Sequence, residues 1–207
     1  MSLTPETRDQ IASLVQANTV MLFMKGTPDS PQCGFSATVV GILTRLVPEF
    51  ASADVLSDPQ LRDGIKEFSD WPTIPQLYVG GEFMGGADII QEMYAAGELH
   101  EALGLGKPEP TMPEIHVTDD AAEVLRQARA QSEHAELHLG IDARFRYQIG
   151  FAPRQGGEVV VTSGEFTFLL DPDSAGRADG LTLEVIETPE GRQLHVRNPN
   201  DPQPAQA

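Results

Sequence analysis

The chain has 207 residues, 40% of them apolar, and a formal net charge of −17; this apolar content suits folded domains rather than a disordered polymer. Acidic residues outnumber basic ones by 15 to 6 in residues 1–112 and by 16 to 8 in residues 113–207, so neither half offers the basic surface that binds nucleic acid or an anionic membrane. Cys33 is the only cysteine, no apolar run approaches the roughly 20 residues of a membrane span, and the first residues lack a signal-peptide pattern. These features predict a cytoplasmic protein without an internal disulfide.

The first hundred residues predict alternating helices and strands. A helix begins near Thr4, and the buried strand "VMLFM" follows at 20–24. Apolar residues then repeat at helical spacing after Cys33 and again from Leu61. The segment "PQLYVGGEF" predicts two strands joined by a Gly-Gly turn, and a last helical pattern follows it. This order predicts an α/β domain in which helices flank a small mixed sheet.

A proline-rich seam separates this domain from the rest of the chain. The segment "GLGKPEPTMPE" at 104–114 holds three prolines and two glycines, which neither a helix nor a central strand accommodates. We therefore predict a domain at 1–105, a linker at 106–112, a second domain at 113–200 and a polar tail at 201–207.

The second domain is predicted to be smaller, strand-rich and of the α+β class. One strand and one helix open it, and strand-like runs separated by turn-forming segments follow. Among these, "RFRYQIGF" is interpreted as a strand with Arg144 and Arg146 on one face, and "DPDSAGRADG" as a turn.

The surroundings of Cys33 predict a reactive thiol. Pro31 precedes it and an apolar helical pattern follows, which places the sulfur at a helix N-terminus, where unpaired N–H groups and the helix dipole favour the thiolate. Lys25, just after the first strand, offers a second positive charge. Ser36 occupies the position where dithiol redox proteins carry a second cysteine. The alternative is that Cys33 is a small buried apolar residue.

The motifs "MKGTPDSPQCGFS" and "WPTIPQLYVGGEFMGGADI" resemble those of the monothiol glutaredoxins of the CGFS class. The resemblance covers roughly residues 4–105, with the motifs in the family's order and spacing. It implies a thioredoxin-like fold, and it implies that Pro75 follows a cis peptide bond and faces the thiol.

At the site, the same resemblance implies a glutathione pocket. Lys25 and Arg62 would hold a carboxylate of the tripeptide, and the backbone of Ile74 would pair with its cysteinyl segment as an added strand. Ala87 and Asp88, at a helix start, would face the γ-glutamyl end and its ammonium group. The alternatives are that Lys25 and Arg62 are solvated surface cations and that Asp88 is an ordinary acid in a first helical turn.

Three functions fit these features. The CGFS resemblance implies binding and transfer of a [2Fe–2S] cluster: such a cluster takes four thiolates, which Cys33 from two chains and two glutathiones would supply in a cluster-bridged homodimer. Iron–sulfur donor and acceptor proteins would then be its partners. The second hypothesis is a glutathione-dependent thiol–disulfide oxidoreductase in which Cys33 attacks glutathionylated proteins. The third is an adaptor that only recognises other proteins.

The second domain resembles an A-type iron–sulfur carrier of the HesB-like fold. The resemblance is carried by "IHVTDDAAEVLRQ", "LHLGID", "RYQIGF", "FLLDP" and "NPN". That family binds metal through three cysteines, and this domain has none. We therefore expect recognition of a partner or support of dimerisation here, and not carrier activity.

Overall fold

The computed structural model describes residues 3–109, 111–189 and 191–202. The chain divides into two compact units, Met1–Lys107 and Pro108–Ala207. The predicted polar tail at 201–207 lies outside the described residues from residue 203 onward. Within the described part of the chain, no helix combines the length and apolar character that a membrane crossing requires.

In the first unit, helices flank a four-stranded mixed sheet. The helices of this unit are α1 Pro5–Ala17, α2 Gly34–Leu46, α3 Pro59–Ser69, α4 Ala87–Ala96 and α5 Glu98–Ala102. The strands of the four-stranded sheet are β1 Val20–Met24, β4 Ala51–Asp54, β5 Gln76–Val79 and β6 Glu82–Gly85, and β2 Gly26–Thr27 and β3 Ser30–Pro31 form a separate hairpin. The sheet order is β4-β1-β5-β6, with β1 parallel to β4 and antiparallel to β5. The predicted mixed sheet is confirmed, although the sequence did not single out β4, whose residues "ASAD" lack strand-forming side chains.

Strand β1 is buried on both faces. Val20, Leu22 and Met24 pack against α2 and α4, whereas Met21 and Phe23 pack against α1 and α3. Because successive strand residues point to opposite faces, a strand covered on both sides needs an unbroken apolar run, and "VMLFM" supplies it. The end of β1 and the start of α2 are thereby fixed relative to each other.

The second unit is strand-rich, as the sequence predicts. Its strands are β7 Ile115–Val117, β8 Leu137–Ile141, β9 Tyr147–Phe151, β10 Val159–Ser163, β11 Phe166–Leu170, β12 Leu181–Thr188 and β13 Gly191–Arg197. Its helices are α6 Asp119–Arg129 and α7 Pro172–Arg177. The strands form sheets ordered β10-β11-β8-β9 and β13-β12-β7. One core holds the unit together, with Leu125, Leu139, Phe168 and Leu183 buried in it.

The prediction of a turn across "DPDSAGRADG" is wrong, because this segment contains helix α7. The Asp171 carboxylate accepts a hydrogen bond from the Ser174 N–H at 3.0 Å, and Pro172 occupies the first helical turn. An aspartate cap followed by proline is a helix start. The short helix buries Ala175 in the core. The turn-forming residues of the segment gave no sign of this helix.

The prediction of a strand through "RFRYQIGF" is wrong for its first three residues. The Asp142 carboxylate accepts hydrogen bonds from the N–H groups of Arg144 at 2.8 Å and Arg146 at 2.9 Å. Phe145 between them has a positive φ of 56°. These contacts form a turn, so strand β9 begins only at Tyr147 and the two arginines do not share a strand face.

Gly64 is expected to be essential for the packing of α1 on α3. A Cβ at this position would lie 2.6 Å from Thr7 Cγ2, so Gly64→Ala forces the two helices apart. We expect the free energy of unfolding to fall by about 1–3 kcal/mol. Gly41→Ala is the matched control, because Gly41 lies within α2 with open space around it, and there we expect a gain of up to about 1 kcal/mol.

Urea unfolding followed through Trp71, the single tryptophan of the chain, would measure both variants. A Gly64→Ala protein as stable as the wild type would contradict the helix packing described here.

Candidate functional site

Cys33 is the N-cap residue of helix α2, as predicted. Its backbone is extended, with φ −157° and ψ 136°, and its side chain is partly exposed. The short β2–β3 hairpin leads into it. The sulfur therefore lies at a helix end whose first N–H groups have no partner within the helix.

These N–H groups lower the pKa of the Cys33 thiol. The backbone N–H of Ser36 contributes most, that of Phe35 contributes less, and the Lys25 ammonium adds a small electrostatic effect. Partial burial opposes them but does not outweigh them, so the pKa lies below its ordinary value. Since only the thiolate is a nucleophile and a metal ligand, this placement makes Cys33 chemically competent.

A cavity of about 300 Å³ lies at the first turn of α2, where Phe35 lines it. Five of the six predicted site residues line it, namely Lys25, Arg62, Ile74, Ala87 and Asp88. Cys33 itself is not among the lining residues, although its near neighbour Phe35 is. The lining is completed by Lys66, Pro72, Thr73 and Pro75.

One wall of the cavity is the loop between α3 and β5. The peptide bond from Ile74 to Pro75 is cis, as the family resemblance implies. The side-chain amide of the fully buried Gln76 donates hydrogen bonds to the carbonyl oxygens of Trp71 and Thr73, each at 3.1 Å. A buried amide is stable only when its donors are paired, so Gln76 fixes this loop from beneath.

A second wall of the cavity is the first turn of α4. Ala87 is buried and Asp88 is exposed, and the carboxylate of Asp88 lies at the positive end of the helix dipole. Gly86 just before them lets the Trp71 indole approach closely, because a Cβ there would lie 2.9 Å from Trp71 Nε1. The same indole N–H donates to Thr73 Oγ1 at 2.9 Å, so Trp71 links the two walls.

The sequence pattern did not single out Lys66 or Phe35. Lys66 lies four residues after Arg62 on α3, so both cations share one helix face, and this spacing was the available signal. Phe35 has a side chain 60% exposed at the cavity rim, which only the structure reveals. With Lys25, the cavity thus gathers three cations against one acid, Asp88.

This charge pattern distinguishes the cavity from the rest of an acidic chain. Three cations around one concave site attract negative charge, and the carboxylate of Asp88 attracts a positive group. Among the described residues, no group of three or more His, Cys, Asp or Glu side chains is arranged to hold a metal ion. The described residues therefore bring together one free thiol, that of Cys33, and a cavity with a surplus of positive charge.

Phe35→Pro is expected to raise the pKa of Cys33, because proline removes one of the N–H groups that stabilise the thiolate. Proline is tolerated in a first helical turn. Phe35→Ala keeps the N–H and is the matched control. The measurement is the rate of Cys33 alkylation by iodoacetamide as a function of pH. Because the thiolate forms above the pKa, the midpoint should move to higher pH in Phe35→Pro and stay unchanged in Phe35→Ala. Equal midpoints in the two variants would contradict the role given to the Phe35 N–H.

Comparison with known proteins assigns the first unit to a family. The family model for glutaredoxin matches residues 20–84. An uncharacterized monothiol glutaredoxin of Synechocystis sp. is 58% identical over 101 residues, which are 49% of this chain and 94% of that protein. Chloroplastic monothiol glutaredoxin-S14 of Arabidopsis thaliana is 53% identical over 48% of this chain, and the match spans 58% of its own length.

Among solved structures, reduced apo GrxS14 of poplar is 52% identical over 50% of this chain and 95% of that chain, with a TM-score of 0.46. Since the Synechocystis relative is matched almost from end to end, the chain belongs to the monothiol glutaredoxin family.

Proposed function

We propose that the first unit binds glutathione in the cavity beside Cys33 and, as a dimer, binds and transfers a glutathione-ligated [2Fe–2S] cluster. The observation that carries this proposal is the grouping of Lys25, Arg62, Lys66 and Asp88 around one cavity, together with the position of Cys33 as the N-cap residue of α2. Glutathione has two carboxylates, one ammonium group and one thiol. The three cations of the cavity complement the carboxylates, Asp88 complements the ammonium group, and the sulfur of Cys33 is available to the thiol.

Different charged residues of the cavity bind different groups of the tripeptide. Lys25 and Arg62 bind a carboxylate of the tripeptide, and Lys66 adds a third positive charge on the same helix face as Arg62. Asp88 binds the γ-glutamyl ammonium, with the backbone of Ala87 beside it. The backbone of Ile74, next to the cis peptide bond, pairs with the cysteinyl segment, which brings the glutathione sulfur towards Cys33.

The thiol count determines how a cluster can be held. A [2Fe–2S] cluster takes four thiolates, and one chain supplies one. No cluster of metal-binding side chains in the described residues offers the missing ligands. Two Cys33 sulfurs and two glutathione sulfurs complete the set, so the cargo is shared by two chains and is released when they separate.

Transfer requires proteins that donate and accept the cluster. We assign their recognition to the second unit, whose sequence resembles an A-type carrier without its cysteines. Its strand-rich core contains one cluster of buried apolar side chains, among them Leu125, Leu139 and Phe168. The second unit then acts as a recognition domain.

A second candidate function is supported by the lowered pKa of Cys33. As a thiolate it attacks the glutathione sulfur of a protein–glutathione mixed disulfide, and the protein thiolate leaves. A second glutathione thiolate then attacks the Cys33–glutathione disulfide, which releases oxidised glutathione and restores Cys33. This cycle needs no second thiol in the chain.

The glutathione site is tested by titrating the protein with reduced glutathione while following the fluorescence of Trp71, which links both cavity walls. We expect Arg62→Ala and Asp88→Ala each to weaken binding roughly tenfold, because each removes a charged partner of the ligand. Arg8→Ala and Asp9→Ala on α1 are the matched controls, since both residues are exposed and neither lines the cavity. Unchanged affinity in both cavity variants would contradict the site.

The cluster is tested by anaerobic reconstitution with iron, sulfide and glutathione, with the visible spectrum and molecular mass recorded on the same sample. We expect a glutathione-dependent chromophore on a dimer, and its loss in Cys33→Ser. Thr38→Ala, which changes an exposed hydroxyl of α2 that does not line the cavity, is the control that should still form the chromophore. A colourless monomer that reduces a glutathione mixed disulfide would instead establish the oxidoreductase function.

A further inference from the structure

The hydroxyl of Ser36 has a structural partner outside its own helix. Ser36 lies in the first turn of α2 and its side chain is fully buried. Its Oγ accepts a hydrogen bond from the backbone N–H of Lys25 at 3.2 Å. This bond joins helix α2 to the residue that directly follows strand β1.

Other hydroxyls of α2 behave differently. Thr38 donates its hydroxyl to the carbonyl of Gly34, and Thr44 donates to that of Val40, both four residues back in the same helix. Such contacts leave the surrounding elements untouched. Ser36 is thus distinguished by a bond that crosses from the helix to the strand end.

The backbone around Lys25 is held on several sides. Its carbonyl accepts a hydrogen bond from the Gln32 N–H at 2.9 Å, and the next N–H, that of Gly26, donates to the Asp54 carboxylate at 2.8 Å. The Ser36 hydroxyl holds the remaining polar group, the Lys25 N–H itself. Because the backbone of Lys25 is fixed, its long and flexible side chain extends into the cavity from one defined Cα position.

We propose that Ser36 is a positioning residue for the anion site: its hydroxyl fixes the backbone of Lys25, so that the ammonium group of Lys25 meets a carboxylate of the bound ligand. This inference rests on the proposed binding of glutathione. It gives the residue that stands in place of a second cysteine a role in binding, exerted through Lys25.

A double-mutant cycle tests this role, because a residue that acts through Lys25 has nothing to act on once that ammonium is gone. The probe is reduced glutathione under anaerobic conditions, with Trp71 fluorescence as the readout. We expect Ser36→Ala to weaken binding roughly three- to tenfold, the loss typical of one hydrogen bond. In the Lys25→Met background the same substitution should change affinity less than twofold. Thr38→Ala is the matched control and should bind like the wild type.

Equal losses from Ser36→Ala in the two backgrounds, or no loss in the wild type, would overturn the inference while glutathione binding stands. Absence of any binding to the wild type would overturn the proposed function and this inference with it. If Ser36→Ala does not fold, Ser36→Thr and Ser36→Val carry the same comparison, since they have equal shape and differ only in the hydroxyl. We then expect Ser36→Thr to bind glutathione more tightly than Ser36→Val. In the Lys25→Met background this difference in affinity should disappear.

Discussion

The site depends on the packing of helix α2 against strand β1. Val39 and Leu43 on the helix and Leu22 and Met24 on the strand are buried in one apolar cluster, which fixes where the helix begins and where the strand ends. The helix start carries Cys33, and the strand end carries Lys25. Apolar burial, which has no chemical specificity of its own, thus brings a thiol and a cation together.

The walls of the cavity are held by polar contacts instead. Gln76 pairs with the carbonyl oxygens of the loop before it, and the Trp71 indole bridges that loop to the turn before α4. Hydrogen bonds are directional and buried donors are costly to leave unpaired, so such contacts select one loop conformation. A preorganised cavity binds its ligand more tightly than a flexible one, because less ordering is needed on binding.

The two units differ in what they offer chemically. The first combines a thiol with a cationic cavity in a chain whose net charge is −17, so the site is an electrostatic exception on an acidic protein. The second places its chain in two sheets around an apolar core and carries no cysteine. Acidity in both halves favours solubility, and the three cations that line the cavity stand out against this acidic background.

Local patterns in the sequence determined the elements. The unbroken run in β1, the helix start after Cys33 and the Gly-Gly turn between β5 and β6 each follow from the chemistry of a few neighbouring residues. The same patterns gave a wrong prediction at helix α7, where the N-cap residue Asp171 lies among turn-forming residues. They were also wrong near Asp142, whose carboxylate stabilises a turn where a strand was predicted. In both places the hydrogen bonds of one aspartate side chain outweigh the average preference of the segment.

The family resemblance named most of the residues around the site, but only the tertiary structure decided which groups share it. Lys25, Arg62 and Asp88 come from three separate elements, and their placement around one cavity follows from how those elements pack. Lys66 joined them because α3 turns one face towards the cavity, and Ser36 proved to bond Lys25 across elements. The sequence by itself determined the thiol, its helix and the strands, since these depend on neighbours along the chain; long-range contacts set the cavity and its charge.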